Sequence, residues 1–367
     1  MRRGNTWILA RDSVYTKNLN ELFIMRPLVA INCLVYNHDP YLRDCLEGFV
    51  MQQTDFPFVA IVHDDASTDH SADIIREYAA KYPDIIRPIY ETENQWSKSD
   101  GSLTKIMDDA IDATGAKYVA ICEGDDYWTD PLKLQKQVDI LETDETLSIC
   151  CTACAVVDNN KNIIEEKRYL PVVKNNREGK YNLRDFFAQA HQYPTASVVY
   201  RCSHSCEVRK KVEVMRNPYM GDWPLWIALL CFGDSYYLDQ VTMSYRINPT
   251  SVTNTNAKVR GLGLAKENFK LIPAVASVLP VQYCDVRENL LSDNAWMWYR
   301  LAVAYKKNKY YVRMIYCLIR CELKSPLFIE HYMENNMELA IVINRVKLFL
   351  GELKRDIKAI FFVWKNG

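Results

Sequence analysis

Glycine and proline are scarce in this chain of 367 residues, with 12 and 14 copies respectively. The scarcity excludes collagen-like and low-complexity linker proteins, which are rich in one or both residues. An excess of either charge is also missing, because 45 Lys and Arg residues offset 46 Asp and Glu residues and leave a formal net charge of -1. A nucleic-acid-binding protein needs a basic face that neutralises phosphates, so we expect no nucleic-acid partner.

Long hydrophobic runs are missing as well. A membrane-spanning helix needs about 20 predominantly apolar residues, whereas the apolar stretch 271–284 is shorter and contains Pro273 and Pro280. Near the start, the apolar run Trp7–Ala10 is too short for the core of a secretory signal, which has about 7 to 15 residues. We therefore expect a cytoplasmic protein without a transmembrane segment.

Several nucleotide and hydrolase motifs are also absent. The first predicted strand is followed by Asn-His-Asp-Pro at residues 37–40 rather than by a Gly-rich turn, which argues against a dinucleotide-binding oxidoreductase. The chain has no Walker lysine loop, no Gly-x-Ser-x-Gly elbow and no His-Glu-x-x-His helix. These absences argue against P-loop NTPases, α/β-hydrolases and zinc proteases.

The composition that remains is that of a globular protein, with 49% apolar and 25% charged residues. From Pro27 onwards, short apolar runs alternate with amphipathic helical windows, which is typical of a parallel sheet covered by helices. The predicted strands are 28–36, 58–62, 85–90, 118–122 and 147–157, and the predicted helices are 39–53, 72–82, 103–113 and 131–141. The sequence therefore predicts an α/β fold with a doubly wound sheet.

Three regions of the chain differ in pattern. Residues 1–24 show no periodicity and are predicted to form a loose extension, residues 25–257 the α/β domain, and residues 258–367 a helical region. Within the last region, 340–365 combines basic and apolar residues. Such a helix either lies at a membrane surface or packs against the domain or a partner, and we favour packing.

Cysteine is not scarce, and Cys151 and Cys154 have the two-residue gap of a zinc knuckle. Both residues, however, lie in the apolar run 147–157, where a free cysteine acts as a small hydrophobic residue. We therefore favour buried thiols over a structural zinc site.

Acidic clusters follow two of the predicted strands. Asp64 and Asp65 follow the second strand, and Glu123, Asp125 and Asp126 follow the fourth. Ligands of such sheets bind beyond the carboxyl ends of the strands. Carboxylates that converge there repel one another unless a cation or the donor groups of a ligand neutralise them. The sequence therefore predicts a ligand site at this edge of the sheet.

Four segments, 28–37, 62–69, 123–128 and 221–226, together with a fifth at 245–252, resemble in this order the family 2 glycosyltransferases. The resemblance covers roughly residues 27–253. It implies a GT-A fold with a C-terminal helical region, and an inverting enzyme that transfers a hexosyl or N-acetylhexosaminyl group from a UDP-sugar. The implied acceptor is a hydroxyl of a glycan or lipid-linked glycan in bacterial surface polysaccharide synthesis.

The resemblance also implies how the donor is bound. Tyr36 would stack on the base, and Asp64 or Asp65 would accept a hydrogen bond from the uracil imide or a ribose hydroxyl. Arg246 and Ser251, in the fifth segment, would approach the diphosphate when a closing loop folds over the donor. Asp69 is favoured as a helix cap instead.

The segment 123–128 looks like the Asp-x-Asp metal motif of the family, with Glu at its first position. Asp125 and Asp126 are the implied ligands of Mn2+ or Mg2+, which would bridge the two phosphates, and Glu123 would contact ribose or the metal through water. Alternatively, Asp126 caps the following helix, a role that we favour for Asp130.

Asp222 matches the acid that serves the family as general base, and it would take the proton of the attacking hydroxyl. Trp223 is predicted either as a sugar platform or as core, and His191 and Thr195 are placed on the acceptor side. A lipid-linked acceptor would favour peripheral attachment of the C-terminal helices to the inner membrane.

Two rival functions remain. A nucleotidyltransferase would also place acids and a metal on such a sheet, but it needs a basic phosphate-binding loop that residues 37–40 do not supply. A non-catalytic nucleotide-sugar-binding protein would have no need of Asp222.

Overall fold

A computed structural model describes residues 26–168, 177–188, 193–216, 221–247 and 257–292, together with Cys317. The chain divides into two compact units, Met1–Ser205 with Phe232–Ile247 and Cys206–Cys231 with Asn248–Gly367. The predicted extension 1–24 lies outside the described residues, and the predicted boundary after residue 257 stays a prediction.

The described strands of the first unit form one ten-stranded sheet. Its central path has the order β3-β2-β1-β4-β9-β6-β10-β5, with β7 paired to β6 and β8 paired to β10. The strands are β1 (Val29–Val35), β2 (Phe58–Asp64), β3 (Ile86–Tyr90), β4 (Tyr118–Ile121), β5 (Tyr127–Trp128), β6 (Leu147–Val157), β7 (Ile163–Arg168), β8 (Gly179–Tyr181), β9 (Val199–Arg201) and β10 (Asp234–Arg246).

The sheet is mixed, although β1 to β4 are parallel as predicted. β9 lies between β4 and β6 and is antiparallel to both. β6 and β10 are parallel to each other. The α/β class is confirmed, and the five predicted strands, β1 to β4 and β6, run in the same direction. The antiparallel strand β9 was not predicted, because three residues are too few to show a periodicity.

Helices alternate with the first strands, as the βα pattern requires. Apolar side chains from three of these helices, among them Leu46, Ile75 and Val138, are buried in one core with the strand residues. Each such burial contributes about 1.5–3 kcal/mol. The helices of this unit are α1 (Asp39–Val50), α2 (Ser71–Lys81), α3 (Gln95–Lys98), α4 (Ser102–Thr114), α5 (Lys133–Thr143) and α6 (Leu183–Ala188).

The cysteines of strand β6 are buried free thiols, as the apolar run predicted. Cys150, Cys151 and Cys154 are fully buried. Burial raises the pKa of the Cys150 thiol to about 12, so this side chain stays protonated and apolar at neutral pH.

The second unit is helical wherever it is described. Its helices are α7 (Ser205–Val214), α8 (Asp222–Leu230), α9 (Ala257–Val278) and α10 (Cys284–Ser292). Ser205, the first residue of α7, still belongs to the first unit. Lys211 joins two of these helices, because its Nζ donates to the carbonyl oxygen of Val278. The basic stretch 340–365 lies outside the described residues. Among the helices that are described, none is both long enough and apolar enough to cross a bilayer.

Candidate functional site

Three loops meet at the carboxyl edge of the parallel strands. They are residues 36–38 after β1, residues 64–69 (the first acidic loop) and residues 123–126 (the second acidic loop). The backbone N–H of Asn37 donates to Ser67 Oγ over 2.9 Å, and Gly124 N donates to Leu34 O over 3.0 Å. Both predicted acidic clusters therefore lie at this edge of the sheet, and hydrogen bonds connect their loops to the end of β1 and the residues after it.

Two residues of these loops have left-handed backbone conformations. Asn37 has φ 55° and Ala66 has φ 59°. Asparagine adopts this region at low cost, whereas alanine is strained by about 1–2 kcal/mol. Backbone strain of this kind concentrates at functional sites.

Asp65 is occupied by the protein itself. Its two carboxylate oxygens accept hydrogen bonds from the backbone N–H groups of Gln95 over 2.6 Å and Trp96 over 3.0 Å. Both amides belong to the start of α3, where the first N–H groups of a helix have no internal partner. Asp65 therefore anchors α3 to the first acidic loop.

Asp64 is buried beside it but is less completely paired. Its Oδ2 accepts a long hydrogen bond of 3.4 Å from Ser67 N. Its Oδ1 is buried and has no hydrogen-bond partner among the residues that the structure describes. A buried carboxylate oxygen without a donor is costly, so this atom fits a donor group supplied by a ligand.

Asp69 lies just before α2 but is not its N-cap, which is His70, so the predicted helix-cap role is wrong. Its Oδ1 accepts from Ser71 N over 2.9 Å at the start of α2, and its Oδ2 accepts from Asp39 N over 3.0 Å. Burial alone would raise the pKa of Asp69, but the hydrogen bonds from Ser71 and Asp39 outweigh it and lower the pKa.

The second acidic loop is poor in such donors. Asp126 is 4% exposed, and its Oδ1 accepts from the backbone N–H of Arg246 over 2.8 Å. Burial, and then the charges of Asp125 and Glu123, raise the pKa of Asp126 well above its usual range, although Arg246 opposes the shift. The loop therefore concentrates negative charge that the protein neutralises only in part.

Asp126 does not cap the helix that follows it. The N-cap of α5 is Leu132, and no side chain makes a cap hydrogen bond there. The helix-cap role predicted for Asp130 is therefore wrong, because Asp130 lies in the turn before the helix, where its Oδ1 accepts from Leu132 N over 2.9 Å.

The donor set of the second acidic loop suits a divalent cation. Within the described ranges, no three His, Cys, Asp or Glu side chains form a complete metal-binding group. Mg2+ is usually held by one or two carboxylates and completed by phosphates of the substrate and water, so two carboxylates are a sufficient protein contribution. Asp125 and Asp126 fit that role.

His38 is a residue of this site that the sequence analysis missed. A Cβ atom on Gly124 would lie 2.7 Å from His38 Nδ1, so only glycine allows the imidazole to approach the second acidic loop this closely. Burial lowers the pKa of His38, although Asp125 and Asp69 pull it upward. The available signal was the position of a histidine directly after a strand.

The remaining predicted donor residues differ in position. Tyr36 is 46% exposed at the edge of the sheet, which leaves its ring accessible. Arg246 is buried, and its Nε donates to the carbonyl oxygen of Asp125 over 2.9 Å. Its predicted contact with a diphosphate stays a prediction. Ser251 lies outside the described residues.

The predicted acceptor-side residues are distributed over both units. Thr195 begins a 3-10 turn, Thr195–Ser197, in the first unit and is half-buried. Asp222 and Trp223 begin α8 in the second unit, and His191 lies outside the described residues. Their common position on the acceptor side stays a prediction.

Asp222 has the environment of a group that can exchange a proton. Its Oδ1 accepts from Trp223 N over 2.8 Å. Burial raises the pKa of Asp222, and the two backbone hydrogen bonds oppose the shift. A carboxylate with a raised pKa is a stronger base than an exposed one. Trp223 is half-buried, whereas Trp226 is fully buried.

Residues 33–212 match the model of glycosyl transferase family 2. The matched segment runs from β1 to α7 and contains both acidic loops and the short strand β9. The segment 33–212 is therefore a glycosyltransferase family 2 domain, the family predicted from the sequence.

Two curated relatives show how far the similarity extends. An uncharacterized protein of Mycobacterium tuberculosis is 34% identical over 224 residues, which are 59% of this chain and 58% of the relative. The chain thus spans little more than half the length of that relative. The dTDP-rhamnosyl transferase RfbG of Shigella flexneri is 24% identical over 260 residues, covering 66% of this chain and 83% of RfbG.

A solved structure of Staphylococcus aureus TarS, residues 1–349 in complex with UDP-GlcNAc, is also similar. It has a TM-score of 0.48 and 13% identity, and the match covers 79% of this chain and 81% of TarS. The family assignment therefore depends on the match to the family model alone.

Proposed function

We propose that this protein is a metal-dependent inverting glycosyltransferase that transfers a sugar from a UDP-sugar to a hydroxyl of a glycan or lipid-linked glycan. The observation that carries the proposal is the second acidic loop, where Asp126 is buried beside Asp125 and Glu123 with a raised pKa. A divalent cation with a nucleoside diphosphate would neutralise this charge.

For the nucleoside, we assign the acceptor role to Asp64 rather than Asp65. The Asp65 carboxylate already accepts two backbone hydrogen bonds, whereas Asp64 Oδ1 lacks a donor among the described residues. The imide N–H of uracil would supply it, and Tyr36 would stack on the base. Thymine carries the same imide, which is compatible with the similarity to a dTDP-rhamnosyl transferase.

For the diphosphate, Asp125 and Asp126 would hold Mn2+ or Mg2+, and Glu123 would contact ribose or a metal-bound water. The cation would offset the charge that develops on the departing nucleoside diphosphate. The acidic side chains keep this function only if their geometry is fixed, which the hydrogen bond from Arg246 N to Asp126 supports.

For the transfer itself, Asp222 would remove the proton of the acceptor hydroxyl as that oxygen attacks the anomeric carbon. One carboxylate opposite the leaving group is sufficient for a single displacement with inversion. Trp223, Thr195 and His191 are proposed for the acceptor side. A growing surface polysaccharide is the acceptor class that we propose.

Nucleotide binding tests the donor site. Calorimetry on the full chain with Mn2+ should detect UDP and dTDP, and CDP should bind at least about 10-fold more weakly because its ring N3 has no proton to donate to Asp64. Asp64→Asn should remove most of this preference. Asp73→Asn, on the exposed first turn of α2, is the matched control and should leave the preference intact. Equal binding of CDP and UDP would contradict the role of Asp64.

Turnover tests the base. Asp222→Asn should lower metal-dependent hydrolysis or transfer from a panel of nucleotide sugars by about 100-fold or more, with UDP affinity unchanged. Unchanged turnover would refute Asp222 as the base. If the unaltered chain binds UDP with Mn2+ but never turns over any sugar nucleotide, the protein is a nucleotide-sugar-binding protein instead.

Membrane attachment is a separate proposal for the basic stretch 340–365. Removal of residues 340–367 should weaken association with vesicles that contain anionic lipids, because both the basic charge and the apolar side chains are lost. Undiminished association would refute attachment through this segment.

A further inference from the structure

Arg246 joins three other parts of the first unit to β10 through one buried guanidinium group. The side chain is 1% exposed at the end of β10. Its Nε donates to Asp125 O over 2.9 Å, and Nη2 donates to Asp44 Oδ2 over 3.1 Å. Nη1 donates to the carbonyl oxygens of Asn159 over 3.2 Å and Asp158 over 3.4 Å. The second acidic loop, helix α1 and the turn after β6 are thereby tied to the same side chain.

Two aromatic rings and the backbone complete this arrangement. The guanidinium carbon lies 4.8 Å from the ring centre of Tyr41 and 5.2 Å from that of Tyr127, within the range of cation–π contacts. The backbone N–H of Arg246 donates to Asp126 Oδ1 over 2.8 Å. One residue thus holds Asp125 through its carbonyl group and Asp126 through its carboxylate.

The contacts leave little of the guanidinium for a ligand. An arginine has five N–H donors in a fixed plane, and here Nε and both terminal nitrogens bond to protein oxygens. These contacts use four of the five N–H groups. Because the side chain is only 1% exposed, a diphosphate could reach the guanidinium only by displacing the protein groups packed around it.

Asp44 supports the guanidinium from the other side. It also accepts from Lys161 Nζ over 2.8 Å and is 26% exposed, so it is part of an ion-pair network that reaches the surface. The network approaches the second acidic loop through Arg246. Asp44 is therefore a residue through which this loop can be perturbed without a change at its own carboxylates.

We propose that Arg246 and Asp44 are positioning residues that fix Asp125 and Asp126 for a divalent cation, and that Arg246 does not itself contact the donor diphosphate. The inference rests on the proposed function, since it assigns the metal to the second acidic loop. Residues that orient metal ligands in this way typically change metal affinity by 10–100-fold when they are removed.

The test separates metal binding from nucleotide binding. Mn2+ affinity of the full chain is measured by electron paramagnetic resonance at saturating UDP, and UDP affinity is measured by calorimetry in EDTA. Asp44→Asn and Arg246→Lys should each lower Mn2+ affinity by about 10-fold or more, with UDP affinity in EDTA changed by less than about 2-fold. Near-ultraviolet circular dichroism checks that each variant keeps the native packing, and Asp44→Asn remains informative if Arg246→Lys does not fold.

Arg43→Lys is the matched control. Arg43 is also on α1 and forms a two-pronged ion pair with Glu77, but that pair is exposed and does not touch the second acidic loop. It should leave Mn2+ affinity unchanged.

Each other outcome overturns a defined part of the inference. If Arg246→Lys lowers UDP affinity in EDTA as strongly as it lowers Mn2+ affinity, the guanidinium contacts the diphosphate. If both variants bind Mn2+ like the unaltered chain, positioning is wrong while the proposed function stands. If the unaltered chain binds no Mn2+ with UDP, the proposed function fails and this inference fails with it.

Discussion

The two acidic loops at one edge of the sheet handle negative charge in opposite ways. In the first acidic loop, Asp65 and Asp69 accept hydrogen bonds from backbone amides, and the pKa of Asp69 is lowered. In the second acidic loop, Asp126 accepts one hydrogen bond from a backbone amide and lies beside Asp125 and Glu123, and its pKa is raised. The same residue type is therefore stabilised by backbone hydrogen bonds at one loop and crowded by like charges at the other.

The comparison distinguishes carboxylates that build the site from carboxylates that would bind. A carboxylate whose oxygens accept hydrogen bonds from backbone amides stabilises the fold, because those amides would otherwise lack partners. A buried carboxylate crowded by like charges opposes folding unless something neutralises it. Proximity to the site alone does not separate these two groups.

The largest expected effect comes from removing a carboxylate of the second acidic loop. Asp126→Asn should lower metal-dependent turnover of a sugar nucleotide by about 100-fold or more, since several kcal/mol of charge stabilisation depend on the cation. The melting temperature without metal should stay the same or rise, because the substitution removes a buried charge. A melting temperature that falls together with activity would mean that Asp126 serves the fold.

A smaller effect on stability is expected in the first acidic loop. Asp65→Ala should lower the free energy of unfolding by about 2 kcal/mol, because the amides of Gln95 and Trp96 lose a charged acceptor. Urea denaturation measures the change, and Asp73→Ala at the exposed start of α2 is the control. A change within about 0.5 kcal/mol, as for an ordinary surface substitution, would show that α3 is held by other contacts.

The pH dependence of stability should have opposite signs at the two loops, with the smallest amplitude of the three effects. A carboxyl group with a raised pKa binds more protons in the folded state, so the contribution of Asp126 falls as pH rises above about 4. A group with a lowered pKa does the reverse, so the contribution of Asp69 is lost as pH falls below about 4.

Thermal melts of Asp126→Asn and Asp69→Asn across a pH series in EDTA measure these contributions as differences from the unaltered chain. The two difference curves should separate in opposite directions. Curves with the same sign would contradict the contrast between the loops.

Much of the first unit could be predicted from the sequence, because its longer elements carry a clear periodicity. Strand β6 has the predicted bounds 147–157, and α1 begins at Asp39 as predicted, although it ends at Val50 rather than at residue 53. Among the elements that were missed, α3, β5 and β9 have four residues or fewer, too few to show a repeat. The long strand β10 was missed as well, and its pairing with β6 has register shifts that interrupt a regular alternation.

The role of each side chain within the site could not be predicted in the same way. Asp64 and Asp65 are neighbours in the sequence, and only the position of α3, about thirty residues further on, reveals that Asp65 is occupied. The partners of Arg246 are even more distant, with Asp44 two hundred and two positions away. A motif identifies which residues meet a ligand edge, but the partners of each side chain depend on the folded chain.

Strand β9 has a consequence for how the sheet can be assembled during synthesis. It supplies the hydrogen-bonding partner on one side of β4 and on one side of β6, although it follows both in the chain. Until residue 201 has left the ribosome, the nascent sheet keeps two open borders where backbone amides and carbonyls face water or another chain. A fragment that ends soon after β6 would retain both acidic loops but lack β9, the strand between β4 and β6. We therefore expect this fragment to aggregate under conditions in which the longer chain folds.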